Sequence, residues 1–183
     1  MHRGYTADRY LERLREARRT VDDLAVSTDI IVGFPGETEA DFERTLEVAA
    51  AAEYDYAYTF IFSPREGTEA ATMSDRFVDP SVIGDRFARL RVVVEHSALR
   101  RHEDRIGRVE EVLVEGPSKK DPDLVSGRTR QNKLVHFRPG VPVRTGAYGL
   151  VEITGAAPHH LRGEFIEVTA EPAHKVRIPV ASE

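Results

Sequence analysis

The β-branched run Ile30-Ile31-Val32 stops at Gly33-Phe34-Pro35-Gly36 and gives way at once to Thr38-Glu39-Ala40-Asp41. No other feature constrains the fold as tightly, because this order is a strand handing over to a helix through a turn. Consecutive β-branched residues suit a strand covered on both faces, as in parallel sheets. Gly33 and Gly36 free the backbone at the strand's carboxyl end, and Pro35 fixes φ between them. Thr38 is placed to cap the helix, with Glu39 and Asp41 setting negative charge against the positive end of its dipole. Ligands of parallel α/β sheets gather at this end of the strands. The turn is not a phosphate loop of the usual kind, since no Lys-Ser or Lys-Thr follows it and GxGxxG is absent. The spacing is compatible with a plain chain reversal and with a ligand edge of unspecified chemistry.

The flanking sequence repeats the same alternation. Residues 6–20 are expected to be a helix capped by Thr6, with Tyr10, Leu14, Ala17 and Val21 on one face. A strand is expected over 25–32, and a helix from 39 to about 53 that buries Phe42, Leu46, Ala49 and Ala50. Tyr56, Tyr58, Phe60 and Phe62 alternate with Ala57, Thr59, Ile61 and Ser63, which reads as a second strand whose aromatic face is assigned to packing. Asp79-Pro80 opens a last helix, with Ile83, Phe87, Leu90, Val94 and Ala98 as its stripe, ending near 104. Helix, strand, helix, strand is the rhythm of a parallel α/β sheet, and two strands are too few for a sheet to stand alone. Arg65, in the loop after the second strand, is the strong anion donor of that edge; the alternative is a surface pair with Glu66 or Glu69.

Beyond Gly107 the runs become short and valine-rich: 109–114, 124–129, 133–137, 149–154 and 163–169, separated by Gly116-Pro117, Pro139-Gly140 and Gly146. Five short strands with turn signals predict a small all-β barrel, with the boundary near residue 105. Between Ser118 and Arg138 lie Lys119, Lys120, Arg128, Arg130, Lys133 and Arg138 against only Asp121 and Asp123, in a chain whose net charge is −5. Such segregation marks a footprint for a polyanion, RNA above all. His136 and Phe137 sit within it; either they stack on a base, or Phe137 is core and the charges are solvated.

Composition closes other routes. Across 183 residues, no stretch reaches the roughly 18–20 apolar residues of a membrane helix, and the amino terminus shows no signal-peptide pattern, so a cytoplasmic protein with no membrane partner is expected. The cysteine count is zero. That removes disulfides, thiolate zinc sites, thiol catalysis and any thiolate-held iron–sulfur cluster on this chain. The histidines are scattered, and neither a Ser/His/Asp set nor metal-ligand spacing presents itself, so no catalytic or metal-binding residue is assigned.

Several short motifs carry a family resemblance. Arg3-Gly4-Tyr5-Thr6, then residues 28–38 (Thr-Asp-Ile-Ile-Val-Gly-Phe-Pro-Gly-Glu-Thr), then residues 60–68 (Phe-Ile-Phe-Ser-Pro-Arg-Glu-Gly-Thr) resemble the radical S-adenosylmethionine methylthiotransferases. Residues 112–120, 127–137, 151–154 and 161–164 resemble a TRAM domain, the small RNA-binding barrel at the carboxyl end of those enzymes, in its tRNA-modifying MiaB-type version. The resemblance implies the end of a partial TIM-like barrel over 1–105, a five-stranded, OB-like TRAM barrel over 106–170, and a carboxyl-terminal extension over 171–183. It also implies S-adenosylmethionine and [4Fe-4S] clusters as cofactors of the complete enzyme. The family's Cys-x-x-x-Cys-x-x-Cys loop is absent, so the chain resembles only a carboxyl-terminal part, and a missing amino-terminal half becomes an expected partner. The other partners implied are the tRNA anticodon stem-loop and a reductant such as flavodoxin or ferredoxin.

By position, Asp29, Ile31, Gly33, Phe62, Ser63 and Arg65 are expected to face S-adenosylmethionine, and Lys119, Lys120, Arg128, Arg130, Lys133 and His136 to face RNA. The substrate implied is an isopentenylated adenosine beside the anticodon. The alternatives are a non-catalytic TRAM module, a methylthiotransferase for another tRNA adenosine or a ribosomal protein, and an unrelated hydrolase-like enzyme using Glu37 or Asp29 as a base.

Overall fold

A computed structural model describes residues 4–119 and 121–172. The chain divides into two compact units, Met1–Asp104 and Arg105–Glu183. Lys120 and most of the carboxyl-terminal extension lie outside the described residues.

The first unit runs α1 (Ala7–Thr20), β1 (Ser27–Val32), α2 (Glu39–Ala52), β2 (Tyr56–Ile61), a short α3 (Glu69–Thr72) and α4 (Pro80–Glu103). Each long helix starts where its cap dictates. Thr6 accepts from the Arg9 N–H, and Asp79 accepts from Ser81 just before the N-terminal proline of α4. Thr38 and Asp41 exchange hydrogen bonds in a reciprocal capping box that opens α2. β1 and β2 are parallel and in register from Ser27 opposite Tyr56 to Val32 opposite Ile61. Ile30, Val32 and Ala57 join Phe42, Ala49, Leu90 and Val94 in one core, into which α1 sends Leu14. Buried Tyr54 donates to the Tyr10 hydroxyl at 2.9 Å, and burial raises its own phenol pKa.

Three expectations for this unit need correction. The sheet is covered on one face, not two: Ile31 is 37% exposed, and its neighbours Tyr58 and Phe60 are 51% and 49% exposed. The aromatic stripe is therefore a bare face rather than packing. Side chains alternate sides along a strand, so the small residues Ala57 and Thr59 took the side facing the core and the aromatics were left on the other. Ala50 is likewise exposed, since only Ala49 and Ala52 of its run point inward. A two-stranded sheet with a bare apolar face invites self-association. The 183-residue chain is accordingly expected to bind a hydrophobic dye and to elute ahead of its monomer volume in size exclusion, and a dye-silent monomer would contradict this face.

The second unit is a closed barrel of β3 (Val109–Pro117), β4 (Val125–Thr129), β5 (Leu134–Arg138), β6 (Tyr148–Ala157) and β7 (His160–Ala170), ordered β3-β4-β5-β7-β6 and sealed by β6 against β3. All pairings are antiparallel except β5 with β7. Closure removes the sheet edges. Val112, Val114, Val135, Phe137, Val151, Ile153 and Leu161 fill the interior. Phe137 is core, stacked on Phe165 at 5.6 Å, which resolves the choice left open by the sequence. Gly127 is needed for strand approach: a Cβ there would lie 2.7 Å from the Leu113 carbonyl oxygen.

Candidate nucleic-acid and cofactor sites

At the carboxyl ends of β1 and β2 the turn is built from within. Gly33 and Gly36 adopt φ of +78° and +81°, which an L side chain rarely tolerates. The Gly36 N–H donates to the Arg76 carbonyl at 2.8 Å, and the Gly33 N–H to the Glu37 carboxylate at 3.0 Å. A Cβ on Gly33 would sit 2.7 Å from the Ile83 side chain. The glycines thus set the shape of the turn, and both N–H groups are used inside the protein instead of facing an anion. The Phe62 N–H donates to the Val32 carbonyl, setting the two strand ends side by side, and the rings of Phe34, Phe62 and Phe77 meet edge to face at 5.4 and 5.8 Å.

Of the residues expected at S-adenosylmethionine, Gly33, Phe62, Ser63 and Arg65 cluster at these strand ends. Asp29 and Ile31 lie further back on the bare sheet face, opposite Tyr58 and Phe60. Arg65 is exposed and makes no ion pair among the described residues, so the pairing with Glu66 or Glu69 does not form.

Glu37 is not a candidate base. Arg86, 4% exposed, donates from Nη1 to the Glu37 carboxylate at 2.9 Å and to the Glu37 carbonyl at 3.1 Å, and from Nε to Glu39 at 3.0 Å. Hydrogen bonds from Arg89, then Arg86, hold the exposed Glu39 carboxyl below its usual range. The sequence reading missed Arg86. Its signal was position: it stands four residues before Leu90 on the apolar stripe of α4, where a charge needs a partner.

On the barrel, Lys119 is exposed in the β3–β4 connection and Arg130 in the β4–β5 turn. Arg128 points outward from β4, with Nη1 donating to the Asn132 carbonyl at 3.0 Å and Nε 3.4 Å from Glu115. Arg138 ends β5, 3.6 Å from Asp123. Lys133 departs from expectation: at 4% exposure it stands behind the surface, drawn in by a turn whose residue Asn132 has φ +59° and whose ends are tied by Thr129. His136 points outward in mid-strand, with Nδ1 3.1 Å from Ser126 Oγ. The resulting strip carries cations at both ends of β4 and an imidazole between. The β5–β7 pairing also brings in His160 and Arg162, which lie more than twenty residues downstream of the basic segment and carried no local signal.

The closed five-stranded barrel carries this cationic outer strip, and residues 103–166 match the TRAM domain family. The relationship extends over nearly the whole chain. It is 48% identical over 167 residues to the tRNA-2-methylthio-N(6)-dimethylallyladenosine synthase of Moorella thermoacetica, covering 91% of this chain and 37% of that protein. Synthases of the same name from Acidothermus cellulolyticus and Geobacillus kaustophilus are 48% and 46% identical over 88% and 93% of this chain and 33% and 32% of their own lengths. Over about nine-tenths of its length the chain is therefore similar to methylthiotransferases of this name, and it aligns with their carboxyl-terminal part. It spans about a third of the length of the curated relatives it matches.

Proposed function

We propose that this chain is the carboxyl-terminal portion of a tRNA methylthiotransferase acting on N6-dimethylallyladenosine, in which the barrel holds the tRNA and the strand ends of β1 and β2 form one side of the S-adenosylmethionine pocket. The observation that carries this reading is homology over about nine-tenths of the chain to synthases of that product, together with a strand-end edge on the first unit and a cationic strip on the closed barrel of the second. A cytoplasmic location and an external reductant go with it; no helix among the described residues is long and apolar enough to cross a membrane.

The residues present fit the two cofactors differently. Phe34 and Phe62 offer aromatic walls for the adenosyl group of S-adenosylmethionine, and Arg65, with no ion pair among the described residues, a partner for the carboxylate of its methionyl part. In the complete enzyme, S-adenosylmethionine cleaved by one electron from a reduced cluster held elsewhere would supply the radical chemistry at the adenine carbon. An iron–sulfur cluster finds no ligands here. The sequence has no cysteine, and among the described residues no three His, Asp or Glu side chains group closely enough to hold a metal ion. This chain's own work is to position: Asp29 and Ile31 line the bare sheet face, Gly33 shapes the turn, and the barrel orients the RNA.

Binding to an anticodon stem-loop tests the barrel's part. With about four single-strand phosphate contacts, the log–log salt slope of affinity is expected near −3, and the Lys119→Ala, Arg128→Ala, Arg130→Ala triple variant should flatten it to about −1. An unchanged slope would reject this strip as the RNA site.

A further inference from the structure

We propose that the outer face of β5 and β7 carries a stacking site for one unpaired RNA nucleotide, with His136 and His160 receiving the base and Arg162 its phosphate. This rests on the RNA-binding reading of the barrel and extends it to residues outside the basic segment. The register of four strands makes the site. Antiparallel β4–β5 sets Ser126 opposite His136, parallel β5–β7 sets His136 opposite Arg162, and antiparallel β6–β7 sets Arg162 opposite Gly155.

The two imidazoles are held before any ligand arrives. Ser126 Oγ, 3.1 Å from His136 Nδ1, fixes the plane of that imidazole, and His160 meets it edge to face at 5.2 Å with 64° between the rings. A Cβ on Gly155 would come within 3.2 Å of the Arg162 guanidinium, so the arginine lies close over this strip of β6, where a side chain would crowd it. Arg162 is exposed and makes no ion pair among the described residues.

The chemistry selects an unpaired nucleotide. Ring stacking needs a base face, which a duplex hides and a loop displays. Arg128 lies on adjoining β4 and Arg138 on β5, so backbone on either side of the stacked base meets positive charge. An exposed guanidinium beside the paired imidazoles supplies the phosphate contact through its planar fork.

The test uses the 183-residue chain with a single-stranded RNA decamer, the same sequence as a duplex, and a decamer carrying one 2-aminopurine. The expected result is at least tenfold preference for the single strand and a change in 2-aminopurine emission on binding. His160→Ala should lose about tenfold in single-strand affinity, the scale of one base–ring stack. His160→Phe, which keeps a stacking ring, should bind within about threefold of the parent, and Arg162→Gln should lower the salt slope by about 0.7. Equal binding of duplex and single strand, loss of binding in His160→Phe matching that in His160→Ala, or unchanged affinity and slope in His160→Ala and Arg162→Gln would each overturn the stacking site while leaving RNA binding by the barrel intact. A chain that binds neither RNA would overturn both.

Discussion

Arg86→Ala is expected to cost the α/β unit about 3–5 kcal/mol, the usual result of removing one partner from a buried ion pair. The guanidinium is all but sealed from solvent, lies 5.5 Å from the centre of the Phe42 ring, and meets the Glu37 carboxylate, whose side chain is only 11% exposed. That carboxylate also takes the Gly33 N–H. Without the arginine, a buried carboxylate is stranded at the turn and the strand-end loop loses its anchor. Arg86→Lys keeps the charge but not the planar fork, so a smaller loss is expected. Urea unfolding followed by far-ultraviolet circular dichroism reads this unit selectively, because the described helices all lie within it. A loss under about 1 kcal/mol would contradict the anchoring role.

Arg105→Ala should destabilise the barrel by a comparable amount, about 3–5 kcal/mol, for the same physical reason. Arg105 is 4% exposed, and its Nη1 donates to the Glu110 carboxylate, itself 11% exposed, and to the Gln131 amide oxygen at 3.3 Å. It therefore ties the entry to β3 to the β4–β5 turn. Amide hydrogen exchange at Val112 and Val151, both in the barrel core, would report the change. Protection there equal to the parent's would show that the pair is dispensable.

What was legible in the sequence follows from the range of the interactions involved. The caps at Thr6, Thr38 and Asp79 act over two or three residues, and each starts its helix where the sequence put it. The five barrel strands were visible because inward valines alternate with outward polar residues. Alternation shows that a strand has two faces but not which one the helices will cover, and this misplaced the Tyr56, Tyr58 and Phe60 stripe. Charge counting found the basic strip yet could not tell that Lys133 turns inward, since its burial depends on the turn at Asn132. The parallel contact of β5 with β7 joins residues 26 apart, as Val135 with Leu161. No local pattern announces it, so His160 and Arg162 went unnoticed. Arg86 could have been found, as a charge on an apolar stripe; Arg105 stands in no such pattern.

The reading of this chain as the RNA-holding, cofactor-flanking part of a methylthiotransferase is tested most directly by S-adenosylmethionine cleavage. The 183-residue chain, incubated anaerobically with iron, sulfide, reductant and tRNA, is expected to release no 5′-deoxyadenosine, because it offers no thiolate for a cluster. Joined to an amino-terminal half carrying the three-cysteine loop, it is expected to yield both 5′-deoxyadenosine and a methylthio-modified adenosine detected by mass spectrometry of tRNA nucleosides. Cofactor cleavage by the chain alone, or a joined protein that leaves the tRNA unmodified, would contradict the account.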